Sequence, residues 1–187
     1  MAAVDLSEFE RFLFDSSVLF RFFEGGAPCT ERLCAFLGES LYVVDSVHQE
    51  IVGHLQDPDK KDAIDHFLNA LSNEPLEPPP EVLREVERQQ RLNRNLSLPI
   101  NEDIDEIETV HYADWALRVE SIEYLLLIQD RTGRAQAELR DLPCANAFEF
   151  LRHLVQRGAL TAAEAEPVAQ SIFKGAFDRD LYYESVA

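Results

Sequence analysis

The sequence predicts an α/β protein built on a parallel sheet, and three observations carry that prediction. Short apolar runs of strand length recur at Arg11 to Asp15, Leu41 to Val44 and Tyr124 to Ile128, each passing into a carboxylate within two residues. Segments with helical spacing separate them, as the crossovers between parallel strands require. A composition of 46% hydrophobic and 28% charged residues over 187 positions is that of a folded chain able to bury a sizeable core.

Taken in order, Phe12-Leu-Phe14 reads as a strand ending at Asp15, and Val18 to Phe23 continues as a helix closed by Gly25-Gly26. Pro28 to Thr30 opens a second helix with Leu33, Phe36 and Leu37 on one face, stopped by Gly38. Leu41 to Val44 reads as a buried strand running into Asp45-Ser46 as an N-cap, and the helix beyond carries Val47, Glu50, Ile51 and His54. Residues 56–100 form a helical insertion or hairpin, with helices around Ala63 to Leu71 and Val82 to Asn95 separated by Pro75, Pro78, Pro79 and Pro80. A helix from Ile104 to Val119 precedes the strand Tyr124 to Ile128 and the acid Asp130. Arg131 to Leu139 reads as helix, Leu142 to Ala145 as a short last strand, and Phe148 to Val155 as helix. Thr161-Ala-Ala-Glu164 has capping-box spacing for a helix ending near Phe173. A tail at 175–187 shows no clear period. The expectation is a single domain over 1–187.

Seventeen Lys and Arg against thirty-five Asp and Glu leave a formal charge of −18, which excludes an extended basic surface gripping nucleic acid through phosphates alone. The longest apolar runs fall well short of the roughly 20 residues of a membrane-spanning helix. The acidic start lacks secretory features, so the cytoplasm is the expected compartment, and Cys29, Cys34 and Cys144 are expected as reduced thiols.

The chemistry lies in the carboxylates. Asp15 and Asp130 follow strands and Glu50 lies in the helix after another, so a parallel sheet would gather all three at the strand C-termini. Oxygen ligands so gathered suit Mg²⁺ or Mn²⁺, which can activate water for a phosphodiester displacement. Without a metal such a cluster repels itself.

The order Phe12-Leu-Phe-Asp15-Ser-Ser-Val-Leu, Leu41-Tyr-Val-Val-Asp-Ser-Val-His-Gln-Glu50-Ile, then Leu126-Leu-Ile-Gln-Asp130-Arg-Thr-Gly-Arg resembles the PIN-like nucleases. The likeness is to the bacterial branch found in toxin-antitoxin modules and covers roughly residues 11 to 165. It implies a three-layer α/β/α fold, an acidic cluster that binds Mg²⁺ or Mn²⁺, an RNA substrate and an antitoxin protein as partner. Asp15, Glu50 and Asp130 match the family's acids. The remaining acid falls among Asp103, Asp105, Glu106, Glu108 and Asp114, and Glu106 is the choice because it borders the apolar side of its helix, with Asp114 as rival. Two departures, Gln129 where relatives carry a second aspartate and Asn146 near a usual Ser or Thr, suit the alternative of a silent binding or regulatory module.

Arg131 and Arg134, directly after Asp130, are the candidate substrate contacts. Arg84, Arg88, Arg91 and Arg94 form a stripe on the insertion helix, expected to be neutralised by Glu81, Glu85 and Glu87. Phe22 and Phe23 suggest a homodimer surface, because their helix is apolar on nearly every side.

Overall fold

A computed structural model describes residues 5–95 and 104–186, apart from the side chains of residues 94 and 95. Asp103 and the side chain of Arg94 therefore lie outside the described residues. The chain is a mixed α/β protein with one four-stranded parallel sheet, β1 (Phe12–Phe14), β2 (Leu41–Tyr42), β3 (Leu125–Leu127) and β4 (Cys144–Ala145), in the order β2-β1-β3-β4. The register sets Phe12 against Leu41 on one side and against Leu125 on the other. Both central strands are buried along their whole length, which explains why they read as unbroken apolar runs rather than alternating ones.

Helices α1 (Ser16–Phe23), α2 (Gly26–Leu37) and α3 (Asp45–Gly53) occupy the first half. The strand expected through Val44 stops at Tyr42. Val43 and Val44 instead meet Leu76, which donates to the Val43 carbonyl at 2.9 Å and accepts from the Asp45 amide at 3.0 Å. Asp45 is inside α3 rather than capping it; the N-cap is Val44, with no side-chain bond.

The insertion helices α4 (Lys61–Ala70) and α5 (Pro80–Asn95) pack on the body rather than on each other, α4 along α2 and α5 along α6 (Ile104–Trp115). Ile64 and Phe67 of α4 and Val82 and Val86 of α5 are buried in the common core. The helix expected to reach Val119 gives way after Trp115 to a π-helical turn, Ala116–Glu120. Beyond β3 come α7 (Arg131–Glu138), α8 (Ala147–Gln156) and α9 (Ala162–Phe173), the last opened by the Thr161 and Glu164 capping box as read from sequence. The tail is not irregular: Arg179–Val186 forms α10, docked on α8 and α9 with Tyr182 buried and its hydroxyl donating to the Ala162 carbonyl at 2.8 Å.

An aromatic centre joins the sheet to its helices. Phe150 of α8 contacts Phe12 and Phe14 of β1 and Phe22 of α1 at ring separations of 5.6, 5.4 and 5.9 Å. Phe22 and Phe23 are 0% and 1% exposed, so the expected dimer surface is interior. The helix is apolar on several sides because α2, α3 and α9, with Phe67 of α4 and Phe150 of α8, cover it within the chain.

Candidate functional site

The strand order marks one place at the sheet edge for chemistry. From β1 the chain steps to β2 on one side, whereas β3 lies on the other, so the connections diverge between β1 and β3; ligands in open parallel sheets bind beyond the strand C-termini at such a place. Asp15 and Asp130 stand there. The Asp15 amide donates to the Leu127 carbonyl at 3.0 Å, extending the β1–β3 ladder to the acid itself.

Each of these acids caps the helix that follows it. Asp15 Oδ2 accepts from the Ser17 amide at 3.2 Å and from the Ser17 hydroxyl. Asp130 Oδ1 accepts from the Thr132 and Gly133 amides at 2.6 and 3.4 Å. Their surroundings differ sharply: Asp130 is exposed, whereas Asp15 is only 2% exposed and its Oδ1 is buried with no hydrogen-bond partner among the described residues.

The acids of α3 and α6 close over Asp15. The buried Ser16 hydroxyl donates to Asp105 Oδ2 at 2.6 Å, and the Glu50 carboxyl lies close enough to Ser16 and Asp105 to feel both. One turn away along both helices, the Ser46 hydroxyl donates to Glu108 Oε1 at 2.7 Å. Residues 46 and 50 of α3 thus face 108 and 105 of α6, two rungs between helices running in opposite directions. Burial, followed by the neighbouring charge of Asp105, pushes the Asp15 carboxyl up to about 7 against the pull of its Ser17 hydrogen bonds. Glu50 also rises to about 7, chiefly through loss of water around its carboxyl, with Ser16 opposing and Asp105 adding to the rise. Burial raises Glu108 as well.

The structure therefore brings Asp15, Glu50 and Asp105 together and sets Asp130 and Glu106 at a neighbouring position. Glu106, chosen from sequence as the acid of α6, is 5% exposed and lies against Gly133 in the first turn of α7. Asp105, which the sequence offered only as one of several candidates, makes the contact with Ser16 and Glu50. Successive helical residues point about 100° apart. Asp105 and Glu108 consequently share the side of α6 that meets α3, while Glu106 turns toward α7. Two acids three apart on one helix, matched by Ser46 and Glu50 four apart on another, were the available signal. Asp114 pairs with Arg118 on its own helix.

The two departures from the family pattern have structural roles. Asn146 caps α8, accepting from the Phe148 and Glu149 amides at 2.9 and 3.0 Å, and Gln129 Oε1 accepts from the Ala147 amide at 3.1 Å. Both fix the start of α8 beside β3. Arg131 is exposed, and Arg134 is half-buried with Nε unpartnered; neither forms an ion pair among the described residues. Arg84, Arg88 and Arg91 do pair, with Glu81, Glu85 and Glu87 on the exposed face of the same helix, as expected. Exposed pairs of this kind contribute about 0.2–1 kcal/mol at most, so Arg88→Ala should shift the urea midpoint only slightly and leave RNA binding unchanged. A marked loss of RNA binding would place the substrate on α5.

Hard carboxylate oxygens, one of them buried without a partner, are the donor chemistry that a Mg²⁺ or Mn²⁺ ion requires. Among the described residues, no three acidic, histidine or cysteine side chains stand as a ready-made metal cage. Hydroxyls now occupy one oxygen each of Asp15 and Asp105, and a cation would draw on the unpartnered Asp15 Oδ1. The chain matches no protein-family model, no curated protein and no solved structure.

Proposed function

We propose that this chain is a Mg²⁺- or Mn²⁺-dependent endoribonuclease of the PIN-like class, with the three-layer arrangement of that class, acting as the toxin of a pair whose partner is an antitoxin protein. The observation that carries the reading is Asp15: a buried carboxylate with an unpartnered oxygen, at the divergence of β1 and β3, facing Asp105 and Glu50. A carboxylate cluster so placed is costly alone and becomes favourable with a divalent cation.

In this reading Asp15, Glu50, Asp105 and Asp130 would hold the ion, and the chemistry it would supply is activation of a water near neutral pH and stabilisation of charge on the leaving oxygen. The chain's own groups do the rest. Ser16 and Ser17 hold Asp105 and Asp15 in fixed orientations through their hydroxyls. Arg131 and Arg134, in the first turn after Asp130, supply the positive charge that a phosphate needs beside several acids. At −18 overall the chain repels RNA, so binding depends on the cation and these arginines.

The test is cleavage of a labelled single-stranded RNA with Mn²⁺ and with EDTA. Cleavage is expected only with Mn²⁺, and Asp130→Asn or Asp105→Asn should abolish it. The same ion should raise the melting temperature: at a hundred times its dissociation constant it adds about 2.7 kcal/mol, or about 5–10 °C for a chain of this length. A wild type that neither melts higher in millimolar Mn²⁺ nor cuts RNA would favour a silent PIN-like module.

A further inference from the structure

A cleft of opposite character to the acidic site opens at the other end of the sheet. It measures about 150 Å³ and its lining includes Phe9, Phe12, Phe36, Ser40, His153 and Arg157. Phe12 begins β1 and Ser40 directly precedes β2, which fixes the place of the cleft at the N-terminal ends of the strands. His153 and Arg157 are four residues apart at the end of α8, so their side chains share a face. Neither forms an ion pair among the described residues. The nearby acids are engaged elsewhere: Glu149 accepts from the Asn146 amide at 2.8 Å, and Asp5 accepts from the Ser7 amide and hydroxyl at 3.0 and 2.7 Å. Burial, then the charge of Arg157, hold the His153 imidazole below its ordinary range, with Asp5 opposing. The ring is fixed in place, stacked on Phe150 at 6.4 Å and edge-on to Phe36 at 6.3 Å. Two basic side chains thus line one cleft in a chain of formal charge −18.

We propose that this cleft binds a phosphate group, held by Arg157 and His153 of α8 and by Ser40 from the turn before β2. The guanidinium fork and the imidazole N–H are donors matched to phosphate oxygens. Donors from two separate elements suit a tetrahedral oxyanion, whose oxygens point apart, better than a planar carboxylate. The size of the cleft admits a phosphate on a short stub, since pockets for drug-sized ligands span about 300–1,000 Å³. Phe9, Phe12 and Phe36 supply apolar walls for whatever carries it. A bound anion relieves the repulsion between Arg157 and His153, and the −18 charge of the chain keeps anions away from surfaces that lack such a pair.

The full chain is titrated in metal-free buffer with inorganic phosphate, phenyl phosphate and benzoate, followed by the NMR resonances of the His153 ring and by melting temperature. Phosphate is expected to shift those resonances, to raise the pH at which they titrate and to raise the melting temperature. Arg157→Gln and His153→Gln should each weaken binding, read from the melting shift, at least about tenfold, the scale of one lost hydrogen bond to a charged group. Phenyl phosphate binding more tightly than inorganic phosphate assigns the site to a phosphate carried on an apolar body, and equal binding assigns it to free phosphate. If the basic pair only complements the C-terminal end of α8, Arg157→Gln lowers the melting temperature while phosphate leaves His153 unmoved, and the proposal is overturned. Benzoate binding as tightly as phenyl phosphate, or phosphate binding that both variants retain, overturns it too. Neither metal nor RNA enters the test, so its outcome is independent of the nuclease reading.

Discussion

Asp15→Asn is expected to abolish Mn²⁺-dependent RNA cleavage and to leave the metal-free protein folded and, above pH 7, more stable than the wild type. Asparagine caps a helix as well as aspartate does, so the Ser17 contact that starts α1 survives. What disappears is a buried charge. The Asp15 carboxyl titrates near 7 in the folded chain against 3.8 when unperturbed, because burial and then Asp105 disfavour its ionised form. Between those values the folded state holds a proton that the unfolded state has lost, so raising the pH favours unfolding. The difference is on the order of 4 kcal/mol as an upper bound, fully present below pH 4 and lost as pH rises through 7. Glu50 and Glu108, also raised, act in the same direction. Melting curves in EDTA should therefore show the gap between Asp15→Asn and wild type widening in the variant's favour from pH 5 to pH 8. A gap independent of pH would mean that Asp15 is not a strained carboxylate, and a variant that still cuts RNA would remove it from the site.

Phe150→Ala should be the most destabilising single change. The ring is fully buried and touches both outer residues of β1 and Phe22 of α1, so it joins the strand that ends in Asp15 to the helix that Asp15 caps. Removing a core phenyl costs about 3–5 kcal/mol through lost transfer energy and an unfilled cavity. Against a total of about 5–15 kcal/mol, that leaves a marginal protein. Urea unfolding should show the midpoint falling with little change in slope, and Phe150→Leu should recover more than half of the loss because it keeps most of the volume. A cost below about 1 kcal/mol would show that the aromatic centre is not the hub of the core.

The sequence by itself determined the features that are local. Apolar runs of strand length located β1 and β3 and put Asp15 and Asp130 at their ends. The Thr161 and Glu164 spacing fixed the start of α9, and the helical period carried it to Phe173. These follow from chain geometry and capping, which act within a few residues. Tertiary structure alone decided how helices are rotated about their axes and what covers them. Asp105 and Glu106 are neighbours in sequence with similar chemistry, and only the seating of α6 between α3 and α7 sends one to Ser16 and Glu50 and the other to Gly133. Leu76 reaches Val43 across the insertion, a pairing that no periodicity announces. Phe22 and Phe23 read as an exposed apolar face because elements that bury them, α3, α4, α8 and α9 among them, lie far along the chain. The physical reason is common to all three. Local propensity fixes where a helix or strand lies along the chain, but its rotation and partners minimise the free energy of contacts between segments far apart in sequence, and that term is absent from any short window of residues.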